Sequence, residues 1–276
     1  MDLVNNDAYH ADCSAVGNSM LKVFMESRRE YEARYVTRTI ASPDPSDSMR
    51  LGSLSHAMLL DEAELKNFAL IPTDVLASNG ARLGNKWKEY EAANADKTLV
   101  TIKENQTAFE MCQSVRAKCG PWFAGVGKAE QAIFWTDSET GIRCKCKPDY
   151  LILANDQPLI LDFKTAKSSS PWAFRSAVKS YRYDLQDIHY SAGVESEVGA
   201  QPRFLFVVVK SEPPYQCRVY ELPESENAPE WNRVDKETAR MTRRRALEDL
   251  AVCYASGDFS DPGEDAITTL YYEDCR

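Results

Sequence analysis

The chain has 276 residues, 43% apolar and 27% charged, with 33 Lys and Arg against 42 Asp and Glu for a formal net charge of -9. This composition supports a folded core and excludes global disorder. The acidic balance argues against non-specific coating of nucleic acid through a basic surface, while leaving room for basic groups gathered in one channel.

The length suits one large α/β unit with an added lobe, so a single domain is expected over 1–276, mainly helical over 1–128 and α/β over 129–276. No run nears the roughly 18–20 uninterrupted apolar residues of a membrane span, and MDLVNNDAYHADCS lacks the basic-then-apolar start of a signal peptide. A cytoplasmic protein without a membrane partner is expected. Reduced, structural thiols follow for the eight cysteines (13, 112, 119, 144, 146, 217, 253 and 275), none of which forms a C-x-x-C pair. No iron-sulfur cluster is expected.

NSMLKVFMESRREYEARYV places Leu21, Phe24 and Met25 at helical spacing, with Ser19 as N-cap. IASPDPSDSM is a loop, and LGSLSHAMLLDEAELKNF repeats apolar positions at helical intervals. KENQTAFEMCQSVRAKC predicts a long helix ending near Gly120 and Pro121. AEQAIFWTDSETGIRCKCKPDYLIL then predicts two strands around a turn at Asp137 to Gly141, with LILDFKTA as a third strand. Ser170 and Pro171 start a helix or helix pair that runs to about Gly199, with a break near SYRY. RFLFVVVKS reads as a buried strand and YQCRVYEL as the next, before a helix from Pro229 to about Ser256. The order from residue 129 predicts an α/β core with a mixed sheet and helices on its faces.

Side chains alternate on a strand, so Asp162 and Lys164 share one face while Leu161 and Phe163 take the other. Asp149 follows Pro148, which cannot donate to a ladder and marks an edge or bend. Neighbouring strands can bring both carboxylates together, and two such groups suffice for a hard divalent cation. Such an ion activates water and offsets phosphate charge. Lys164 can hold or deprotonate that water, or stabilise developing negative charge. Taken alone, D-x-K reads as a surface ion pair on an edge strand, with Asp149 a turn residue, because three-residue matches are frequent by chance.

The pattern P-D, twelve residues, D-x-K resembles the active-site motif of the PD-(D/E)XK nuclease superfamily. GSLSHAMLL resembles the G-x-x-x-H motif of its RecB-like branch, and QDIHY resembles that branch's Q-x-x-x-Y motif. With YHADCSAVGNSML and YRYDLQDIHYSAGVE, most of residues 8–210 is similar to the RecE-type (exonuclease VIII-like) nuclease domain. The resemblance implies a restriction-endonuclease-like core with a central mixed sheet and a helical N-terminal region. It implies Mg²⁺, with Mn²⁺ as a substitute, held by His56, Asp149 and Asp162 with the Phe163 carbonyl as a further ligand. Lys164 would act on the water, and Glu130 would add an acidic active-site group.

By the same resemblance, Gln186 and Tyr190 support the site or contact DNA. The expected activity is exonucleolytic, 5′-to-3′ on linear double-stranded DNA, leaving 3′ tails for a RecT-type annealing protein. A homo-oligomer is expected, with a tetrameric ring as one form. The alternatives are an endonuclease, a single-strand-specific nuclease, or a non-catalytic DNA-end-binding scaffold. Lys145 and Lys147 share a strand face near Asp149, which predicts phosphate contacts. Arg240, Arg243, Arg244 and Arg245 spread over more than one helical face and read as a solvated helix stabilised by Glu237 and Glu248, with a phosphate surface as the alternative.

Overall fold

The computed structural model describes residues 6–41, 46–123, 127–153, 157–227 and 233–264. Five strands form the central sheet: β3 (Gly127–Ala129), β6 (Tyr150–Ile152), β7 (Leu159–Ala166), β8 (Arg203–Lys210) and β9 (Cys217–Tyr220), in the order β3-β6-β7-β8-β9. β7 and β8 run parallel and the other pairs antiparallel, so the sheet is mixed. Two small pairs stand outside it: the parallel β1 (Phe68–Leu70) and β2 (Thr98–Val100), and the hairpin β4 (Ile133–Thr136) and β5 (Arg143–Cys146).

Helices cover both faces. Ile160, Phe204, Phe206 and Val208 pack with Phe174 and Val178 of α7 (Pro171–Tyr181) and Val194 of α8 (Tyr183–Val198). Leu161, Phe163, Leu205, Val207 and Val209 face Met111, Val115 and Cys119 of α6 (Ile102–Phe123), with Leu51, Leu59 and Leu60 of α4 (Asp47–Leu60) against them. Burial on both faces explains why β7 and β8 carry continuous apolar runs. A further cluster joins α2 (Asn18–Glu26) and Tyr31 of α3 (Arg28–Tyr31) to Leu247, Leu250 and Cys253 of α9 (Lys236–Ser256). Two further short α-helices among the described residues are α1 (Asn6–Ala11) and α5 (Asn85–Ala93).

Several boundaries differ from the expectations. α2 starts at Asn18 after Gly17, without a side-chain cap from Ser19. The cause is Val16, whose N–H bonds the Arg143 carbonyl at 2.8 Å and whose carbonyl accepts from Lys145 N–H at 3.0 Å, holding the chain extended until the helix begins. α4 stops at Leu60 because the Asp61 side chain accepts from Ala63 N–H at 3.0 Å and starts a 3₁₀ turn over Glu62–Asn67. α6 continues past Gly120 and Pro121 to Phe123, where Trp122 and Phe123 gain burial against the sheet. The predicted long strand after the hairpin turn divides at Lys147-Pro148-Asp149: β5 pairs with β4, and β6 joins the central sheet. α9 begins at Lys236, capped by Asp235; the expected start includes residues 229–232, which lie outside the described residues.

The helix pair breaks at Arg182, in the left-handed region at φ 52. Ser170 caps α7 through Ala173 N–H at 3.3 Å. The hairpin turn is built by Asp137, which accepts from Thr140 N–H and Oγ1 at 3.2 and 2.9 Å, and by Gly141 at φ 71. Seven cysteines, at 13, 112, 119, 144, 146, 217 and 253, carry free thiols, and Cys275 lies outside the described residues. Among the described residues no helix is long and apolar enough to cross a membrane.

α8 lies close against the hairpin, where a Cβ on Gly193 would stand 2.6 Å from Cys146 Sγ and 2.7 Å from Trp135 Cζ3. Gly193→Ala should therefore lower stability by about 1–3 kcal/mol, read as a lower urea midpoint; an unchanged midpoint would contradict this packing.

On the same helix, His189 is fully buried, with Nε2 3.1 Å from the Lys145 carbonyl and Nδ1 3.3 Å from Arg243 Nε. Burial first, then the Arg243 charge, pulls its pKa from 6.5 down to about 3. A depressed histidine contributes stability above its unfolded pKa and loses it as pH falls toward the folded value. The His189 contribution to urea stability should thus decline as pH drops from about 7 to about 4, read as a shrinking difference between the wild type and His189→Gln, with the His189 ring protonating only on unfolding, as ring NMR shifts would report.

Candidate active site

The site follows from the register. Ala129 pairs with Tyr150, and Tyr150 with Leu161. One residue further along, Glu130 and Asp149 lie just past the ends of β3 and β6 and extend this register as a rung with Asp162 of β7. The Glu130 N–H continues that rung by bonding the Asp149 carbonyl at 3.1 Å. Glu130 reaches this position at φ 51, a left-handed conformation that costs a non-glycine residue roughly 1 kcal/mol or more. Asp149 sits where the chain passes between sheets, after Pro148 has removed a ladder donor, and its Oδ2 accepts from Phe163 N–H at 2.6 Å.

Three cations meet the three carboxylates. Lys147 Nζ is 2.5 Å from Glu130 Oε2. Lys164 pairs with Asp162 Oδ2, while Gln186 Nε2 donates to Asp162 Oδ1 at 2.6 Å. His56, from α4, has Nδ1 3.7 Å from Asp149 Oδ1 and 3.9 Å from Glu130 Oε1, with Nε2 3.1 Å from the Phe163 carbonyl. Burial would lower the His56 pKa, but Asp149 and then Glu130 hold it up at about 9. Burial raises Asp149 to about 6, against the pull of His56 and with a push from Asp162. For Lys164, burial favours the neutral amine, yet Asp162 and Asp149 outweigh it and the ammonium is favoured.

Ligand atoms of His56, Glu130 and Asp149 lie within 4.8 Å of one another, a mixed imidazole and carboxylate set that fits a divalent cation. Asp162 stands apart from that group, held by Lys164 and Gln186, with the Phe163 carbonyl on the His56 side. Of the predicted residues, His56, Glu130, Asp149, Asp162, Phe163, Lys164 and Gln186 are thus brought together. Tyr190 is four residues beyond Gln186 on α8 and packs toward Phe204, its hydroxyl driven well above the usual pKa by burial.

Lys145 requires a correction. It is only 3% exposed, and its ammonium donates to the carbonyls of Tyr9 and Asp12 at 2.5 and 2.6 Å, so it holds the N-terminal segment instead of facing a phosphate. Lys147 shares its face as expected, since both ammonium groups approach the Tyr9 ring, but Lys147 is turned to Glu130. In the arginine cluster, Arg240 pairs with Glu224, Arg243 with Asp137, and Arg244 with Glu139 and Glu248. Of the two expected acidic partners, Glu248 is engaged, while Glu224, Asp137 and Glu139 take the place given to Glu237.

Two nearby groups were not singled out from sequence. Lys22 of α2 donates to the Tyr181 carbonyl at 3.1 Å, and the Tyr183 ring lies 4.9 Å from Lys164 Nζ. Lys22 falls off the apolar stripe of its helix, and the Tyr-Arg-Tyr spacing marks the helix break; no motif pointed to either.

Gln186→Leu should leave Asp162 Oδ1 buried without its donor and lower stability by about 1–3 kcal/mol. Urea denaturation checks this, and an unchanged midpoint would mean that the amide contributes nothing to holding Asp162.

The family model of the PDDEXK-like domain of unknown function, DUF3799, matches residues 17–250. No curated protein matches the sequence. Among solved structures, a protein from Eubacterium rectale described as a candidate exonuclease superposes with a TM-score of 0.60 at 13% identity, covering 100% of this chain and 98% of that one. SSO0001 gives a TM-score of 0.31 at 13% identity over 72% of this chain and 83% of that one, a likeness too distant to bear on the site. With 17–250 matched and the mixed sheet delivering Asp149, Asp162 and Lys164 to one point, the chain belongs to the PDDEXK-like family DUF3799.

Proposed function

We propose that this protein is a divalent-metal-dependent exodeoxyribonuclease of the RecE-type, RecB-like branch, acting on linear duplex DNA in the 5′-to-3′ direction. The observation that carries the proposal is the single rung of Glu130, Asp149 and Asp162 with His56 and Lys164 beside it. The description of the Eubacterium rectale protein supports the exonuclease reading, and the sequence resemblance supports the polarity.

In this reading His56, Glu130 and Asp149 hold the cation, joined by Asp162 and the Phe163 carbonyl. A bound Mg²⁺ or Mn²⁺ supplies Lewis-acid stabilisation of charge on the phosphodiester. The chain's own residues do the rest. Gln186 fixes the Asp162 carboxylate through Oδ1, leaving Oδ2 toward Lys164. Lys164 keeps its proton beside Asp162 and Asp149, so it orients the attacking water and stabilises negative charge as a donor. Lys147 holds Glu130 and offsets part of the carboxylate repulsion. The 3′ tails produced would serve a RecT-type annealing protein, and a homo-oligomeric ring around the duplex would keep the enzyme on its substrate.

Linear duplex labelled separately at its 5′ and 3′ ends, incubated beside a covalently closed circle with Mg²⁺ or EDTA, tests the reading. The expected result is early release of 5′ label, a resistant circle and no reaction in EDTA, with Asp162→Ala and Lys164→Ala each slower by about 10²-fold or more. Cutting of the circle would replace exonuclease by endonuclease, preference for single strands would replace the substrate, and DNA-end binding without cleavage would replace the enzyme by a scaffold.

A further inference from the structure

Beside the site, the helix break at Arg182 sets two tyrosines in different surroundings. The Arg182 guanidinium is engaged by Asp184, with Nε and Nη2 each 3.1 Å from a carboxylate oxygen. Tyr183 turns inward: its ring stacks toward Phe174 at 6.2 Å and 24°, lies 6.0 Å from Phe206, and takes the Lys164 ammonium at 4.9 Å. Tyr181 turns outward, its ring centroid 5.6 Å from that of Tyr183 at 31°, and is 59% exposed. Aromatic rings therefore step from Lys164 to solvent, ending on one that adds little to the core.

A cation reaches the backbone of that residue. Lys22 spends one N–H on the Tyr181 carbonyl at 3.1 Å, and its ammonium lies in the field of Lys164 and Asp162. Among the described residues no carboxylate forms an ion pair with Lys22. The Asp162 and Asp184 carboxylates act on Lys22 at a distance and the Lys164 and Arg182 cations oppose them, so the ammonium keeps donor capacity for a further anion. The arrangement suits a polyanion that also carries flat apolar faces.

We propose that Tyr181 and Lys22 form a seat for an unpaired nucleotide of single-stranded DNA adjoining the scissile phosphate, with the base stacked on the Tyr181 ring and a phosphate on the Lys22 ammonium. The inference rests on the nuclease reading for the position of the scissile phosphate, and it adds the form in which the strand is held. A base inside a duplex has both faces covered by its neighbours, so stacking on a protein ring requires an unpaired or terminal nucleotide. Sequence-tolerant stacking beside a cation is the chemistry by which single strands are gripped without base readout. Duplex would enter this seat only after its end has opened.

Single-stranded oligonucleotides carrying 2-aminopurine near the 5′ end, with Ca²⁺ replacing Mg²⁺, test the seat by fluorescence and by anisotropy of a distal label. Stacking predicts quenching by the wild type and by Tyr181→Phe. Tyr181→Ala should lose the quench and bind about 5-fold or more weakly. Lys22→Met should weaken binding and reduce the salt slope by about 0.7, the share of one phosphate contact, while keeping the quench. Tyr181→Ala that quenches and binds like the wild type would overturn the seat. Cleavage by the wild type and by Tyr181→Ala in Mg²⁺ is followed in parallel: equal cleavage and equal binding by the two remove the seat alone. A Tyr181-dependent quench without cleavage under any condition contradicts the nuclease reading and leaves the binding site standing.

Discussion

Three carboxylates on one rung of a sheet repel one another, and burial adds to the cost of ionising them. Much of the surrounding structure offsets that repulsion: Lys147 on Glu130, His56 near Asp149, Lys164 on Asp162, and the Phe163 N–H on Asp149. Removing one partner from such a buried set is more damaging than never having built it, because the remaining charge has no solvent to turn to. The same concentration of oxygen ligands is what a divalent cation requires. Charge balance among these groups and capacity for a cation thus have one origin.

The fold makes the rung rigid. β7 carries Asp162 and Lys164 on one face and Leu161 and Phe163 on the other, so the apolar face that anchors the strand against α6 also fixes the polar face. α4 packs Leu51, Leu59 and Leu60 against that apolar side, which sets His56 over the middle of β7 within reach of the Phe163 carbonyl. From the opposite face α8 supplies Gln186, its approach to the hairpin made close by Gly193. Helices packed on both faces therefore each contribute one polar group to a site that a strand alone would leave incomplete.

Local pattern made part of this legible. Strand alternation over LILDFKTA places Asp162 beside Lys164, and the helical interval between Gln186 and Tyr190 places both on α8. The mixed sheet and the break near SYRY were likewise readable, from apolar runs and from cap and turn residues. The division between β5 and β6 was less accessible, because β-prone residues continue through it and the change of sheet is set by non-local pairing. Lys145 misled for a related reason: its face was right, but the Tyr9 and Asp12 carbonyls that occupy it come from the other end of the chain. No local signal marks Lys22 either, since its neighbours Tyr181 and Lys164 are brought to it by tertiary packing alone.

The central claim is that this rung is a metal site built by His56, Glu130 and Asp149 with Asp162 and the Phe163 carbonyl at its border. Anomalous diffraction from a crystal soaked in Mn²⁺ addresses it without reliance on any substrate. The account predicts a peak among these five residues, lost in Asp149→Asn. A saturated crystal with its strongest peak elsewhere, and none beside Asp149, would contradict it.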